Sequence, residues 1–296
     1  MTSLSAVQHP ISSLKIIAKI AIAGSPDWVG LDTGAVWISN RAKNNVARID
    51  AATNQVVATV DVGHAPCAGV SVGFGSIWIP NCSDRTLSRI DSALNQVITT
   101  IPVAPADSAG TVAAGAGSVW LPTDHGAALA QIDPAVNQIA ARIPLSSGSF
   151  AAAVGEGAVW VTSTRHNVVA RIDPHLSKVV ATIPVGPTPR FLTAGAHSVW
   201  TLSQGDGSVS RIDPKTNTVI ATIQVGTPGP GGDIAFGEGF LWTTAINVPL
   251  TCIDPSANKV VKQFVGTGGN ALRVGLGSVW LCSFFLQEVW RVDPKS

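Results

Sequence analysis

Apolar residues along this chain fall in short alternating runs, such as Ser118-Val119-Trp120-Leu121 and Val168-Val169-Ala170-Arg171-Ile172-Asp173, rich in β-branched and aromatic side chains. A period of two over four to six residues is the pattern of half-buried strands, and the 3.6-residue spacing of an amphipathic helix is missing. The runs themselves recur. Trp37, Trp78, Trp120, Trp160, Trp200, Trp242 and Trp280 are separated by 41, 42, 40, 40, 42 and 38 residues, and each ends a segment like Gly-Ser-Val-Trp. Thirteen residues after the Trp, an Arg-Ile-Asp-like triplet closes at Asp50, Asp91, Asp133, Asp173, Asp213 and Asp293, with Asp254 one residue early. A self-similar period of this length belongs to propeller blades.

Each copy accounts for four strands. The Trp segment and the Arg-Ile-Asp segment form a hairpin. Four residues beyond the Asp stands Asn54, Asn95, Asn137, Asn217 or Asn258, a residue type that tolerates the left-handed backbone of a tight turn. Val-Val-Ala-Thr-Ile-Pro-Val supplies a further strand, and a run such as Phe150 to Gly155 supplies one more before the next Trp. The small residues of that last run (Ala113, Ala114, Ala151, Ala152, Ala153, Ala194) suit the innermost position, where seven strands converge on an axis. The expectation is an all-β, seven-bladed β-propeller with four-stranded antiparallel blades, spanning residues 1–296 as one domain. Residues 14–22 resemble an outer strand but precede the first Trp, and the last copy stops at Asp293-Pro294 without one. The N-terminal segment is therefore expected to complete the seventh blade and remove an open edge.

Composition narrows the partners. Hydrophobic residues make up 46% of the 296 and charged ones 12%, yet no apolar run approaches the ~20 residues of a membrane-spanning helix. Nineteen Lys and Arg against 18 Asp and Glu leave a net charge of +1, too small a field to gather nucleic acid or an anionic membrane. A soluble monomer is expected, with no secretory signal visible from Met1 to Pro10 and no motif for an organic cofactor. Cys67, Cys82, Cys252 and Cys282 lack the spacing of a zinc site. Cys67 and Cys82 belong to loops that reach the same end of one blade, where they would form a disulfide or remain inert thiols. A thiolate nucleophile at Cys67, near His64, is the competing reading.

Blades with Gly-x-x-Trp, Arg-Ile-Asp-Pro and Ala-Thr-Ile-x-Val-Gly resemble the bacterial YVTN-type repeat propellers and the virginiamycin B lyase-like (streptogramin lyase) propellers, over almost the whole chain. The resemblance implies fold more than activity. Streptogramin lyases open a lactone by elimination, with Mg²⁺ and histidines where the inner strands of the last two blades begin. At those positions this chain has Asn270 and Gly232, with Asp233 beside the latter, and Asp27 stands where those enzymes place a Tyr in the first blade. Streptogramin lysis itself is thus not expected.

Candidate chemistry is sought where the copies depart from one another at the start of the inner strand, which faces the channel mouth. The seven residues there are Asp27, Ala68, Gly110, Phe150, Arg190, Gly232 and Asn270. Asp27, Asp233 and Asn270 offer the oxygen ligands that Ca²⁺ or Mg²⁺ prefers, or else they cap local turns. Arg190 either holds a substrate carboxylate or phosphate, or pairs with Asp27 or Asp233. His125 and His166, in loops after Trp120 and Trp160, are candidate general bases or solvated side chains. Trp28, Phe150 and Phe284 add aromatic surface for a ligand, or simply pack, as Phe191 is expected to do. The recurring Arg48, Arg89, Arg171, Arg211 and Arg291 belong to the scaffold. Together these residues suggest a metal-assisted hydrolase or lyase for a small ester, lactone or phosphoester in the central channel. The alternative is a non-catalytic propeller that binds a ligand or a protein.

Overall fold

Seven sheets arranged around one axis, each built on four antiparallel strands, make up the protein in a computed structural model that describes residues 4–106, 110–226, 228–229, 231–245 and 247–296. Blade one shows the plan, running from the inner strand Pro26–Asp32 through Ala35–Asn40 and Asn45–Asp50 to the outer strand Gln55–Asp61. The Trp strand comes second in every blade, and the seven repeated Trp side chains are all at most 1% exposed.

The repeat is explained by bonds that only these residues make at these spacings. In six blades the Trp indole N–H donates to the carbonyl of the glycine five residues earlier, at 2.9 to 3.3 Å. Blade one has Asp32 at that position, and the Trp37 indole nitrogen is left without a partner. These glycines also let neighbouring inner strands close up. A Cβ on Gly155 would lie 2.3 Å from the Ala194 Cβ of the next blade, far inside van der Waals contact.

The recurring arginines work between blades. Arg171 lies over its own blade's Trp160 ring at 5.4 Å and donates to the Pro214 carbonyl and the Asn217 Oδ1 of the next blade, at 2.8 and 2.9 Å. Arg89 and Arg211 repeat the arrangement with Asn137 and Asn258. Arg291 carries it across the closing seam to Asn54 of blade one, at 3.0 Å. Each of those asparagines sits in a turn with φ between 53° and 59°, the left-handed region expected for it.

Ring closure follows the sequence expectation. Ile16–Ala21 pairs antiparallel with Glu288–Val292 as the outer strand of blade seven, and Leu14 and Ile22 on its flanks are buried. One element was not expected. Gln8–Pro10 pairs in parallel with the outer strand of blade six, Lys259–Val265, as a fifth strand. Gln8 there donates to Gln263 Oε1 at 2.7 Å. The N-terminal arm therefore straps two blades. No helix among the described residues is long and apolar enough to cross a membrane.

Candidate functional site

The inner strands bring Asp27 of blade one and Asn270 of blade seven together at the channel mouth, as the sequence suggested. The Asn270 Nδ2 donates to Asp27 Oδ1 at 2.6 Å. The Asn270 backbone is fixed as well, its N–H donating to the Cys282 carbonyl at 2.7 Å and its carbonyl accepting from the Thr244 hydroxyl. Burial raises the Asp27 pKa to about 6, helped by repulsion from Asp233 and opposed by Arg41 and the Asn270 amide. A carboxyl of this kind exchanges a proton near neutrality.

Asp233 has a different job. Its Oδ2 accepts from Arg273 Nη1 at 2.7 Å and from the Leu272 N–H at 3.1 Å, and its Oδ1 accepts from the Ile234 N–H at 2.8 Å. The side chain is 2% exposed, and burial raises its pKa despite the guanidinium beside it. The position a cation would take next to Asp233 is held by Arg273. No group of three or more His, Cys, Asp or Glu placed to hold a metal occurs among the described residues. Asp27 and Asn270 alone make a sparse donor set for a hard divalent ion, which takes six or more oxygens. These residues do not fit a preformed Ca²⁺ or Mg²⁺ site.

The aromatic residues do more than pack locally. Trp28 of blade one meets Phe191 of blade five with ring centroids 5.5 Å apart, a contact that crosses the channel axis. Phe191 also meets Phe150 of blade four edge-on at 6.0 Å. Arg190 lays its guanidinium over Phe150 at 4.1 Å and lies 5.7 Å from Phe191. Trp28, Phe150 and Phe191 are each at most 5% exposed, so they form a plug that floors the mouth. The expectation that Phe191 packs in the core holds, but its partner is on a distant blade. The Trp28 indole nitrogen is buried without a hydrogen-bond partner.

The remaining candidates lie outward. His125 is exposed, with φ 57°, next to Asp124, which pairs with Arg142 at 3.1 Å. His166 is exposed, with Nε2 3.3 Å from the Ser147 hydroxyl. No contact joins either histidine to Asp27, Asp233 or Asn270. Phe284 is 36% exposed and stacks edge-on with the more exposed Phe285 in the blade-seven loop, outside the plug. Cys67 and Cys82 form a disulfide, with Cα atoms 5.8 Å apart, which ends the thiolate reading. Cys252 and Cys282 are buried free thiols, and burial pushes the Cys252 pKa up to about 12.

Arg273 was missed. The signal lay three residues further along the inner strand, seven residues before the Trp. The other six copies carry Gly30, Ser71, Ala113, Ala153, Thr193 and Ala235 there.

A ring of seven sheets around a central channel is the architecture of a seven-bladed β-propeller. Among solved structures, the chain is similar to a streptogramin B lyase at 17% identity and TM-score 0.79, covering 93% of this chain and 96% of that one. It is similar to a catalytically inactive variant of virginiamycin B lyase from Staphylococcus aureus, solved with quinupristin, at 16% identity and TM-score 0.80, covering 93% and 98%. Kuenenia stuttgartiensis hydrazine synthase matches at 16% identity and TM-score 0.75, covering 94% and 97%. The fold is that of the virginiamycin B lyases. No family model and no curated protein matches the sequence.

Proposed function

We propose that this propeller is a hydrolase or lyase for a small ester, lactone or phosphoester bound at the mouth above the Trp28–Phe191–Phe150 plug. The observation that carries this reading is the Asp27 carboxyl, raised to about 6 and oriented by Asn270. As a carboxylate at neutral pH, Asp27 takes a proton, from the carbon beside an ester carbonyl in elimination or from an attacking water in hydrolysis. Arg190, braced on Phe150, orients the carbonyl or phosphoryl oxygen. The unpartnered Trp28 N–H suits an oxygen acceptor, because a buried donor left unpaired costs roughly 1–3 kcal/mol. This reading needs no divalent cation and assigns no proton to His125 or His166.

A panel of small esters, lactones and phosphoesters tests it. Turnover is expected to survive a chelator, to rise through about pH 6, and to fall at least a hundredfold in Asp27→Asn. Activity that chelation abolishes and Ca²⁺ or Mg²⁺ restores would return the cation to the mechanism. A ligand that raises the melting temperature without turnover would identify a binding propeller instead.

A further inference from the structure

Beyond the aromatic plug, the channel continues as a separate cavity of about 350 Å³ along the inner strands. Neither Trp28, Phe150 nor Phe191 lines it. Solvent reaches it from the other end of the ring. Val72, Ala114, Val154, Phe236 and Val274, toward the turns that end the inner strands, are half-buried, whereas Ala68, Ala151 and Ala271 at the mouth end are at most 1% exposed. The cavity is thus distinct from the mouth and opens on the opposite face.

Its wall mixes small apolar side chains with the polar groups of Ser71, Thr111 and Thr193, and its charged residues, Asp233 and Arg273, meet on one side. Both Asp233 oxygens are engaged, as described above. Arg273 spends only its Nη1, on Asp233 and on the Leu272 carbonyl at 2.6 Å. The Nε and Nη2 groups of Arg273 have no partner among the described residues, and the side chain stays 26% exposed. Asp233 is 2% exposed and Arg273 26%, so the group that the pair presents to the cavity is the donor edge of Arg273. Two hydroxyls reinforce it. Ser71 Oγ accepts from the Ala114 N–H at 2.8 Å, which leaves its proton free to donate, and Thr193 Oγ1 has no hydrogen bond among the described residues. Val70, Ala153 and Leu192 supply apolar wall.

We infer that this cavity is a binding site for a small organic carboxylate, its carboxylate on the free edge of Arg273 and its hydrocarbon body against the valine and alanine wall. A volume of 350 Å³ is about a dozen waters at ~30 Å³ each, which suits an acid of roughly ten non-hydrogen atoms. Two parallel N–H donors on one guanidinium edge match the geometry of a carboxylate. Asp233 fixes the guanidinium in place before the ligand arrives, so little side-chain freedom is lost on binding.

Calorimetric titration of the intact chain with benzoate and hexanoate, and with benzamide and hexanamide as uncharged controls, tests the site. The acids are expected to bind saturably at one site per chain and the amides at least tenfold more weakly. Ala153→Leu, which fills the cavity without touching a charge, should weaken the acids at least tenfold. The paired substitution Asp233→Asn with Arg273→Met, which leaves no unpaired buried charge, should do the same. Arg190→Met, at the mouth, should leave their affinity within about twofold. The inference is overturned if no acid binds, if the amides bind as tightly, if Ala153→Leu in a folded chain leaves affinity unchanged, or if Arg190→Met removes the binding.

Discussion

Replacing Asp27 by Asn should make the protein more stable relative to the wild type as pH rises. Burial holds the Asp27 carboxyl at about 6 in the folded chain, against an ordinary 3.8 once unfolded. Between those values the unfolded chain has released its proton and the folded chain has kept it. The wild type therefore loses stability as pH rises from about 4 to 6 and stays on a lower plateau above that. About two pKa units correspond to roughly 3 kcal/mol. An amide at position 27 does not titrate and escapes that loss. Repulsion from Asp233 is already part of that shift. Against this stands the short bond from Asn270, part of which an Asn side-chain oxygen can still accept.

Calorimetric melting of both proteins at pH 4.5, 6 and 7.5 reads the difference. Part of the loss is already taken below pH 4.5, leaving about 2 kcal/mol between pH 4.5 and 7.5, and at about 2 °C per kcal/mol for a chain of this size the melting temperature of Asp27→Asn should gain on the wild type by about 4 °C over that range. Gain of stability on removing a strained charge is the usual sign of a group kept for function. A difference between the two proteins that stays constant with pH, or shrinks as pH rises, would refute the burial argument and with it the case for Asp27 as a proton carrier.

Two further outcomes test the scaffold. Gly155→Ala drives a Cβ into Ala194 of the next blade and should cost about 1–3 kcal/mol in chemical denaturation, while Gly157→Ala, at a φ of 75° but with nothing within 4 Å of its Cβ, reports backbone strain alone. If Gly155→Ala is neutral, the inner strands are looser than their contacts indicate. Deleting residues 1–22 removes both the outer strand of blade seven and the fifth strand of blade six, and should broaden or abolish cooperative unfolding. A truncated chain melting as sharply as the intact one would show that the ring closes by other means.

The scaffold was legible because it is written seven times. Trp, Gly, Arg and Asn recur at fixed spacing, and most copies bond a repeated partner within the blade or in the next one, with Trp37, Arg48 and Asn95 as departures. The site was legible only where it breaks that repetition. Asp27 and Asn270 stood out at the start of the inner strand and do meet. The plug did not, because Trp28 and Phe191 belong to blades one and five, and nothing in the spacing says that their rings span the axis. The Arg273 partner of Asp233 was hidden for a related reason. Arg273 departs from a row of Gly, Ser, Ala and Thr, at a different depth and on the inner strand of the next blade. Gln8–Pro10 was invisible because three residues carry too little alternation to declare a strand.

The closing strand also sets an order of events. Lys15 and its ion-pair partner Asp293 are 278 residues apart, so during synthesis Ile16–Ala21 waits, an unpaired apolar edge, until the last blade emerges. The six intervening sheets can form from nearby sequence, but the ring cannot lock before translation of Glu288–Val292. Through that interval the early strand is exposed to pairing with another copy of itself or with the edge of a half-made neighbour. A slow, concentration-dependent phase in refolding is the behaviour to expect of a ring whose closing strands lie so far apart in sequence.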